Sequence, residues 1–373
     1  MCRSDLTAAE VSGRIGATIG TATPSNLVQP RLSLCRRTLR WRRCGFRTKR
    51  TPLSSIFPAI SEVMSMRVSV LGVGAIGSVV AAALATTDVE LHLHVRGERG
   101  AAHMLQGVAV SGHRTLSPPA ARFLFSCEEL PVDDGLLQGS DLVILACKSS
   151  DVPHLAQTAT SFLKAGGVVL ALCNGLGHVE VLTRIHGPSA VLAASTTHGA
   201  YAEGEGVVWA GFGGVGFAAP PLGPDATRLE AVVSLFEAAE LNPWIHEDAA
   251  TLIWEKVVLN LAINPIAALA GLTNGELLES GLFNACMMVY REASQVAAME
   301  RVSLPDEPAF ERRLRTVLEQ TADNTCSMLQ DLKKGRKTEI SALNQAVVAL
   351  AEGHGLSVPI NQTLASLIQA CHP

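Results

Sequence analysis

The hydrophobic pattern divides the chain into two parts. In the first part, short apolar runs rich in β-branched residues end in glycines or polar side chains, as at residues 66–71 and 141–147. Continuous apolar runs of this length are typical of strands buried in a parallel sheet. Later in the chain the spacing of apolar positions becomes helical almost throughout. We therefore predict an α/β chain, with a parallel-sheet domain over residues 66–246 followed by an all-α helical-bundle domain over 247–373.

The finer pattern predicts the individual elements. Further strands of the same sheet are predicted at 89–95, 167–172, 190–194, 207–210, 215–218 and 242–246, with a helix at 229–239. Breaks between the later helices are predicted near Pro265, Gly271, Gly281, Pro305, Gly335 and Pro359. The connection between the two parts is short and carries no signal of disorder, so the domains should touch along a cleft.

A glycine-rich turn directly follows the first predicted strand and opens a helix of small residues. Its sequence is Gly72-Val73-Gly74-Ala75-Ile76-Gly77. In this G-x-G-x-x-G pattern the first glycine makes the turn, the second lets the backbone approach a pyrophosphate, and the third allows close helix packing. A phosphate at the helix N-terminus meets free N–H groups and the positive end of the helix dipole. The turn predicts a Rossmann-type dinucleotide-binding domain.

The residue that ends the second predicted strand indicates which dinucleotide binds. An NAD enzyme usually carries an acid there to bind the ribose 2′-hydroxyl, but this chain has Arg96, with Arg99 three residues on. A guanidinium fits a 2′-phosphate, so we expect NADPH/NADP+ as cofactor, with Arg96 as the main contact. The alternative is an arginine in a solvated loop.

Polar residues also end two later strands. Lys148 follows the run at 141–147, and Asn174 opens a glycine turn after the next predicted strand. Because ligands bind outside the carboxyl ends of parallel strands, both side chains are predicted to face the dinucleotide cleft, although each could lie on a loop surface instead. His198 could act as a general acid, but it has no acidic partner nearby in sequence, so a structural role is favoured.

The helical part carries a lysine and two asparagines at four-residue spacing, Lys256, Asn260 and Asn264, within an apolar run. Each four-residue step on a helix turns about 40° and rises about 6 Å, so the three polar tips form one stripe that can face a single ligand. An ammonium can stabilise and protonate the oxygen of a ketone that receives a hydride, while amides hold the rest of the substrate. The alternative is a solvated helix edge, with asparagines that cap the helix near Pro265.

Composition excludes several classes of function. The nine cysteines are scattered and form no C-x-x-C pair, so we expect free thiols, no disulfide framework and no metal site. Residues 1–65 hold eleven Lys/Arg and three acids, which leaves a net charge of −12 on the rest of the chain. An acidic body argues against nucleic acid as a partner. The apolar stretch at 68–85 is broken by glycines, so a membrane span is not expected.

Residues 1–65 are also rich in Ser and Thr and show no helical or strand period. This composition predicts a transit peptide for a mitochondrion or plastid. The alternative is an upstream extension of the reading frame, with translation starting at Met64 or Met66 and a protein that stays in the cytoplasm. The sequence leaves open whether the protein is a monomer or a homodimer.

Together these motifs resemble the ketopantoate reductase (2-dehydropantoate 2-reductase) family over about residues 66–370. The resemblance rests on the glycine turn, Lys148, the Asn174 turn, the Lys256 stripe and four further motifs. The further motifs are Thr196-Thr197-His198-Gly199-Ala200, Asn274-Gly275-Glu276-Leu277, Asn324-x2-Ser327-Met328-Leu329-Gln330-Asp331 and Thr338-Glu339-Ile340. The chain departs from many members at Gly199, where alanine is common, and bacterial members have no counterpart of its first 65 residues.

The resemblance implies an NADPH-dependent reductase that converts 2-dehydropantoate (ketopantoate) to (R)-pantoate in pantothenate and coenzyme A biosynthesis. Lys256 would donate the proton, and Glu339, predicted in the first turn of a helix that Thr338 could cap, would be an active-site acid. The implied substrate contacts are Asn174, Lys256, Asn260, Asn264, Asn274 and Ser327. The implied cofactor contacts are Gly72, Val73, Gly74, Ala75, Ile76, Gly77, Arg96, Lys148, Asn174, Ala200 and Glu339.

Two other interpretations stay open. Another two-domain NADP-dependent reductase, acting on a different 2-oxo or 3-hydroxy acid, would share the glycine turn and a helical substrate domain. A non-catalytic NADP-binding sensor would share them too, although an intact Lys256 argues against it. In each enzymatic interpretation the substrate is a small-molecule acid.

Overall fold

The computed structural model describes residues 66–372, and the predicted transit peptide over residues 1–65 lies outside the described residues. The strands in the described range are β1 Arg67–Leu71, β2 Glu90–Val95, β3 Val110–Gly112, β4 Phe123–Cys127, β5 Ser140–Leu145, β6 Leu163–Ala171, β7 Val191–Thr196, β8 Gly199–Glu203, β9 Gly206–Gly211, β10 Val215–Ala218 and β11 Pro243–Ile245. The α-helices are α1 Ala75–Leu84, α2 Gly97–Gln106, α3 Val152–Phe162, α4 His178–His186, α5 Ala226–Ala238, α6 Ala249–Ala270, α7 Asn274–Glu279, α8 Phe283–Met299, α9 Glu307–Gln320, α10 Ser327–Lys333, α11 Asn344–Gly353 and α12 Pro359–Ala370.

Eight of these strands form one sheet in the order β11-β10-β7-β6-β5-β1-β2-β4. The strands from β4 to β7 run parallel to one another, whereas β10 is antiparallel to β7 and carries β11 on its outer edge. Helices α1 and α5 pack on one face and α3 and α4 on the other, so the central strands are buried on both sides. This doubly wound sheet, followed by helices, confirms the predicted fold class.

The strand predicted at 207–210 is placed differently from the prediction, which put it in the main sheet. It lies in β9, within a separate three-stranded sheet of order β3-β9-β8. β8 and β9 form an antiparallel hairpin around Gly204, whose φ is +54°. The outer edge of β7 is taken by β10, and the hairpin packs on α1 instead. The prediction was wrong because the choice of strand partner depends on distant residues, which a local apolar pattern does not encode.

Helix α6 is the centre of the helical part. It packs against α8, α10 and α12 and also against strand β7 of the main sheet. Within residues 66–372 it is the one helix that is long and apolar enough to cross a membrane by length and composition. Most of this helix is buried inside the protein, as expected for a core helix.

The break predicted near Pro265 was wrong, because α6 continues through this residue as far as Ala270 and is capped by Gly271 in a left-handed conformation (φ +72°). Proline has no N–H, so it leaves the carbonyl four residues earlier without a helical partner. Here that carbonyl, on Leu261, accepts a hydrogen bond from Asn344 Nδ2 at 3.5 Å. A side chain 83 residues further along the chain therefore compensates for the proline.

The prediction that Glu339 lies in the first turn of an α-helix was also wrong. Glu339 precedes a short 3₁₀ turn, Ile340–Ala342, and α11 begins only at Asn344. Leu343, with φ −106° and ψ −110°, separates the two. Thr338 is not the N-cap residue of this turn, which is Glu339, but its Oγ1 accepts a hydrogen bond from Ile340 N at 3.3 Å.

Candidate active site

The glycine turn presents bare backbone at the carboxyl edge of the sheet. Gly72 has a φ of +85°, which only glycine adopts without strain. A Cβ on Gly77 would lie 2.3 Å from Gly72 O, so a side chain there would push α1 away from β1. A Cβ on Gly74 would meet nothing within 4 Å, so the absence of a side chain leaves open space at this point. The turn has the geometry by which a pyrophosphate reaches the N-terminus of α1.

A cleft of about 490 Å³ runs along this edge of the sheet, between the sheet part and the helical part. A volume of this size is typical of ligand pockets. Eleven residues that the sequence predicts as cofactor or substrate contacts line it: Gly72, Val73, Gly74, Ala75, Ile76, Arg96, Lys148, Asn174, Ala200, Ser327 and Glu339. Gly77 does not line the cleft, in keeping with a role in helix packing.

The Glu339 carboxylate joins the two parts of the protein. Its Oε1 accepts a hydrogen bond from Ser149 N at 3.1 Å, and its Oε2 accepts one from Asn174 Nδ2 at 2.8 Å. Lys148 makes a second connection, since its Nζ lies 2.8 Å from Asp331 Oδ2 and donates to Lys337 O at 2.9 Å. The loops that follow β5 and β6 are therefore bonded to the opposite wall of the cleft. That wall is formed by Asp331 on α10 and by the segment that holds Lys337 and Glu339.

Lys256, Asn260 and Asn264 lie on α6 at the predicted four-residue spacing. Lys256 and Asn260 are half-buried and Asn264 is buried. Helix α10 is held against this stripe by Cys326, whose Sγ donates to Asn264 O at 3.5 Å, and the next residue, Ser327, lines the cleft. The helix that carries the stripe thus contacts the start of α10 next to a residue that lines the cleft.

The charge of Lys256 depends on its surroundings. Burial lowers the pKa of Lys256 to about 8, while the negative charge of Glu339 partly opposes that shift. The ammonium form therefore predominates at neutral pH and loses its proton more readily than an exposed lysine does. A lysine in this state is suited to general acid catalysis, because the proton affinity of the donor lies close to the working pH.

Not every predicted residue is brought to the cleft. Lys256, Asn260, Asn264 and Asn274 are absent from its lining, although Lys256 interacts electrostatically with Glu339, which is part of it. Asn274 is buried and donates from Nδ2 to Thr321 Oγ1 at 2.7 Å. Its Oδ1 has no hydrogen-bond partner among the described residues. In this structure the Asn274 side chain therefore binds within the helical part.

The structure adds a residue that the sequence did not indicate. His178, the first residue of α4, is buried, and its pKa is lowered to about 4 by burial and by the nearby charge of Lys256. Neither ring nitrogen has a hydrogen bond of good geometry among the described residues, although the Gly175 backbone lies close enough to oppose part of the fall in pKa. The only available signal was its place just after the Asn174 turn, at a strand end that faces the cleft.

His198 has the structural role that the sequence favoured. Its Nε2 lies 3.1 Å from Leu241 O, and its Nδ1 accepts a hydrogen bond from Gly213 N at 3.0 Å. Both ring nitrogens are thus engaged by backbone. In residues 66–372, no group of three or more His, Cys, Asp or Glu side chains is placed to hold a metal ion.

A doubly wound sheet with a glycine turn, a helical second part and a lysine beside the cleft between them defines a nucleotide-dependent oxidoreductase. The profile of the family described as "Ketopantoate reductase PanE/ApbA" matches residues 68–220, and that of "Ketopantoate reductase PanE/ApbA C terminal" matches residues 248–372. The chain belongs to the ketopantoate reductase family, as the sequence motifs predicted.

Individual relatives agree with this assignment. The 2-dehydropantoate 2-reductase of Halobacterium salinarum is 32% identical over 305 residues, covering 82% of this chain and 98% of its own. That of Pyrococcus abyssi is 31% identical over 306 residues, covering 82% and 97%. Among solved structures, a PanE/ApbA family ketopantoate reductase from Ralstonia eutropha JMP134 gives a TM-score of 0.72 at 26% identity, with 82% and 98% covered. D-mandelate dehydrogenase with NADH and anilino(oxo)acetate, at a TM-score of 0.75 and 22% identity over 82% and 98%, shares the fold.

Proposed function

We propose that this protein reduces 2-dehydropantoate to (R)-pantoate with NADPH, the reaction for which its relatives are named. The observation that carries the proposal is that Glu339, which lines the same cleft as the glycine turn, interacts electrostatically with Lys256. The glycine turn supports a nucleotide site in this cleft, and the electrostatic influence of Glu339 on Lys256 supports a proton donor near it.

The residues of the cleft fit a dinucleotide. The N-terminus of α1 and the bare backbone at Gly74 would hold the pyrophosphate, and Arg96 would hold the 2′-phosphate. Asn174 and Ala200 also line the cleft. When bound, the nicotinamide supplies the hydride. The protein contributes orientation of the substrate, exclusion of water and the proton.

Lys256 Nζ is the proton donor to the substrate's ketone oxygen, on which negative charge develops. Asn260, Asn264 and Ser327 bind the substrate's hydroxyl and carboxylate groups. Glu339 favours the protonated form of Lys256 and holds Asn174 through a 2.8 Å hydrogen bond. We therefore expect one proton donor, three residues that bind the substrate and one carboxylate that positions the other groups.

A panel of 2-oxo acids, assayed with purified protein by the loss of NADPH absorbance, tests the substrate. The expected result is the highest kcat/KM with 2-dehydropantoate. Turnover of another 2-oxo or 3-hydroxy acid in its place would contradict the substrate and leave the class intact. Binding of NADPH without turnover of any acid would favour a non-catalytic sensor.

Arg96→Ala tests the cofactor. Loss of a charge-assisted contact to phosphate costs roughly 1.5–3 kcal/mol, so KM for NADPH should rise about tenfold to a hundredfold, while KM for NADH barely changes. The matched control is Arg312→Ala, which removes an exposed arginine on α9 away from the cleft. Equal losses with both cofactors would assign Arg96 a structural role.

For residues 1–65 we propose an import address for a mitochondrion or plastid, supported by their basic, Ser- and Thr-rich composition. Import of a reporter fused behind these residues is the expected outcome. A cytoplasmic reporter would favour an upstream extension of the reading frame. A chain that starts at Met66 should fold and keep full activity, because the first strand begins at Arg67. Insolubility of that shorter chain would show that the leader packs on the body.

A further inference from the structure

Three carboxylates surround the corner of the cleft where the 2′ end of the cofactor is proposed to bind. Asp151 Oδ2 lies 2.5 Å from Arg96 Nη2, and Glu128 Oε2 lies 4.0 Å from Arg96 Nη1. Glu129 Oε1 accepts a hydrogen bond from Gly97 N, at the start of α2, at 3.3 Å. The donors that a 2′-phosphate would use are therefore already engaged by acids of the protein.

The fold brings these acids together because they follow neighbouring strands. Arg96 comes directly after β2, Glu128 directly after β4, and Asp151 ends the 3₁₀ turn Ser149–Asp151 that follows β5. Asp151 precedes α3, but its side chain makes no capping hydrogen bond to that helix. Its carboxylate instead contacts Arg96, so the acid can be changed without loss of a helix cap.

Two neighbouring basic side chains, Arg99 and His154, are engaged within the protein as well. Arg99 is turned toward the β8–β9 hairpin, where it donates to Gly206 O at 3.3 Å and Gly204 O at 3.5 Å. His154 Nε2 contacts Glu128 Oε1. Of the two arginines at this corner, Arg96 is engaged by carboxylates and Arg99 by backbone carbonyls, whereas a phosphate site normally offers free cations.

We propose that Asp151 and Glu128 are specificity-determining residues that narrow the preference for NADPH, so that the protein also turns over NADH. The inference rests on the proposed function, since it concerns the same cofactor site. A 2′-phosphate carries between one and two negative charges and must approach Arg96 beside two carboxylates that repel it. A ribose diol is neutral and donates hydrogen bonds to a carboxylate. This part of the cleft therefore offers Arg96 to the 2′-phosphate of NADPH and Asp151 to the ribose hydroxyls of NADH.

The exposure of these side chains sets the size of the effect. The exposed fractions are 57% for Arg96, 31% for Glu128 and 28% for Asp151. Water and salt screen charges at such positions, so each carboxylate should change the selectivity by about tenfold or less. Asp151 should have the larger effect, because it is closer to Arg96 and is not shared with His154.

Asp151→Asn keeps the shape of the side chain and removes its charge. The expected result is a three- to tenfold rise in the ratio of kcat/KM for NADPH to kcat/KM for NADH, with a smaller rise for Glu128→Gln. The rise should shrink at high salt. Glu230→Gln, an exposed acid on α5 outside the cleft, is the matched control and should leave the ratio unchanged.

Binding measurements test this inference independently of the catalytic reaction. Adenosine 2′,5′-bisphosphate and adenosine 5′-monophosphate differ only in the 2′-phosphate, and calorimetry gives their Kd ratio for the wild type and each variant. Asp151→Asn and Glu128→Gln should shift that ratio toward the bisphosphate, and a melting temperature checks that each variant is folded.

Three outcomes would overturn the inference. An unchanged or lower NADPH preference in both variants would mean that the carboxylates only orient Arg96 for the phosphate. A wild-type preference for NADPH above about a hundredfold would show that they do not narrow it. Failure of both adenosine nucleotides to bind the wild type would contradict the proposed function itself, and this inference with it.

Discussion

Two polar clusters in this protein differ in charge: one lies buried between strands and is neutral, and the other is half-buried at Lys256 and Glu339 and is charged. The serine–histidine cluster consists of Ser69, His92, Ser126 and Ser140, one from each of four adjacent strands. Ser69 Oγ lies 2.8 Å from His92 Nδ1 and 2.6 Å from Ser140 Oγ, and His92 Nε2 lies 2.8 Å from Ser126 Oγ. Burial lowers the pKa of His92 to about 3, so the cluster is neutral.

The lysine cluster consists of Lys256, Glu339, Asn174 and His178. Asn174 and Glu339 are bonded to each other, but the His178 ring has no hydrogen bond of good geometry among the described residues and Lys256 remains charged. The serine–histidine cluster extends through Ser126 to His94, whose Nδ1 lies 2.8 Å from Ser126 Oγ and whose Nε2 has no hydrogen-bond partner among the described residues. The two clusters therefore differ in charge: a neutral network between strands holds them together, whereas a charged one can stabilise charge that develops on a ligand.

The largest effect that the comparison predicts is that of a substitution at Lys256. Lys256→Ala should lower kcat by about 10²- to 10⁴-fold, because general acid catalysis typically contributes that much. NADPH binding should change little, since the ammonium meets its strongest partner only as charge develops on the substrate oxygen. Steady-state kinetics and the melting temperature should be measured together. A well-folded variant with near-wild-type kcat would mean that the stripe is only the polar edge of a helix and has no catalytic role.

Asn264→Ala should act on binding more than on chemistry. Its amide is expected to hold the substrate in the ground state and the transition state alike, so KM should rise about tenfold or more, with a smaller fall in kcat. Asn284→Ala, an exposed asparagine on α8, is the control. If both variants share the wild-type KM, the stripe binds no substrate at this position.

The pH profile tests the charge of the lysine cluster. Because the pKa of Lys256 is lowered to about 8, kcat/KM should fall about tenfold per pH unit above that value, as the donor loses its proton. Lys256→Arg should remove this fall within the accessible range, because a guanidinium does not deprotonate there. A profile that is flat to pH 10 in the wild type would place the proton on another group.

His92→Ala is the converse test, with the smallest expected effect on activity. Leaving buried hydroxyls unpaired costs about 1–3 kcal/mol, so the melting temperature should fall by several degrees, while kcat and KM stay unchanged. The wild type should also lose stability as pH falls from about 6.5 toward 3, since the unfolded chain binds the proton that folded His92 excludes. The variant should lose less over that range. Altered kinetics would mean that the two clusters are coupled.

The two clusters also differ in how far the sequence revealed them. The stripe at Lys256 was predictable because four-residue spacing on one helix is a local property, and the glycine turn because its residues are consecutive. Glu339 was found through the family motif, but not the local structure around it. The hydrogen bond between Glu339 and Asn174 joins residues 165 positions apart, and the lowered pKa of His178 also depends on a distant residue, Lys256, so no local period encodes either feature. The β8–β9 hairpin and the helix through Pro265 were missed for the same reason.

The amide that supports α6 at Pro265 sets an order of events during synthesis. Asn344 Nδ2, which donates to Leu261 O, also donates to Asn361 Oδ1 at 3.0 Å, so α6, α11 and α12 meet in one buried contact. The sheet part can fold as soon as it leaves the ribosome, because domains fold as units and its strands come first. The helix that carries Lys256 cannot complete this contact until α12 has emerged. We expect the nucleotide site of a nascent chain to form well before the helix that carries Lys256 is fully packed.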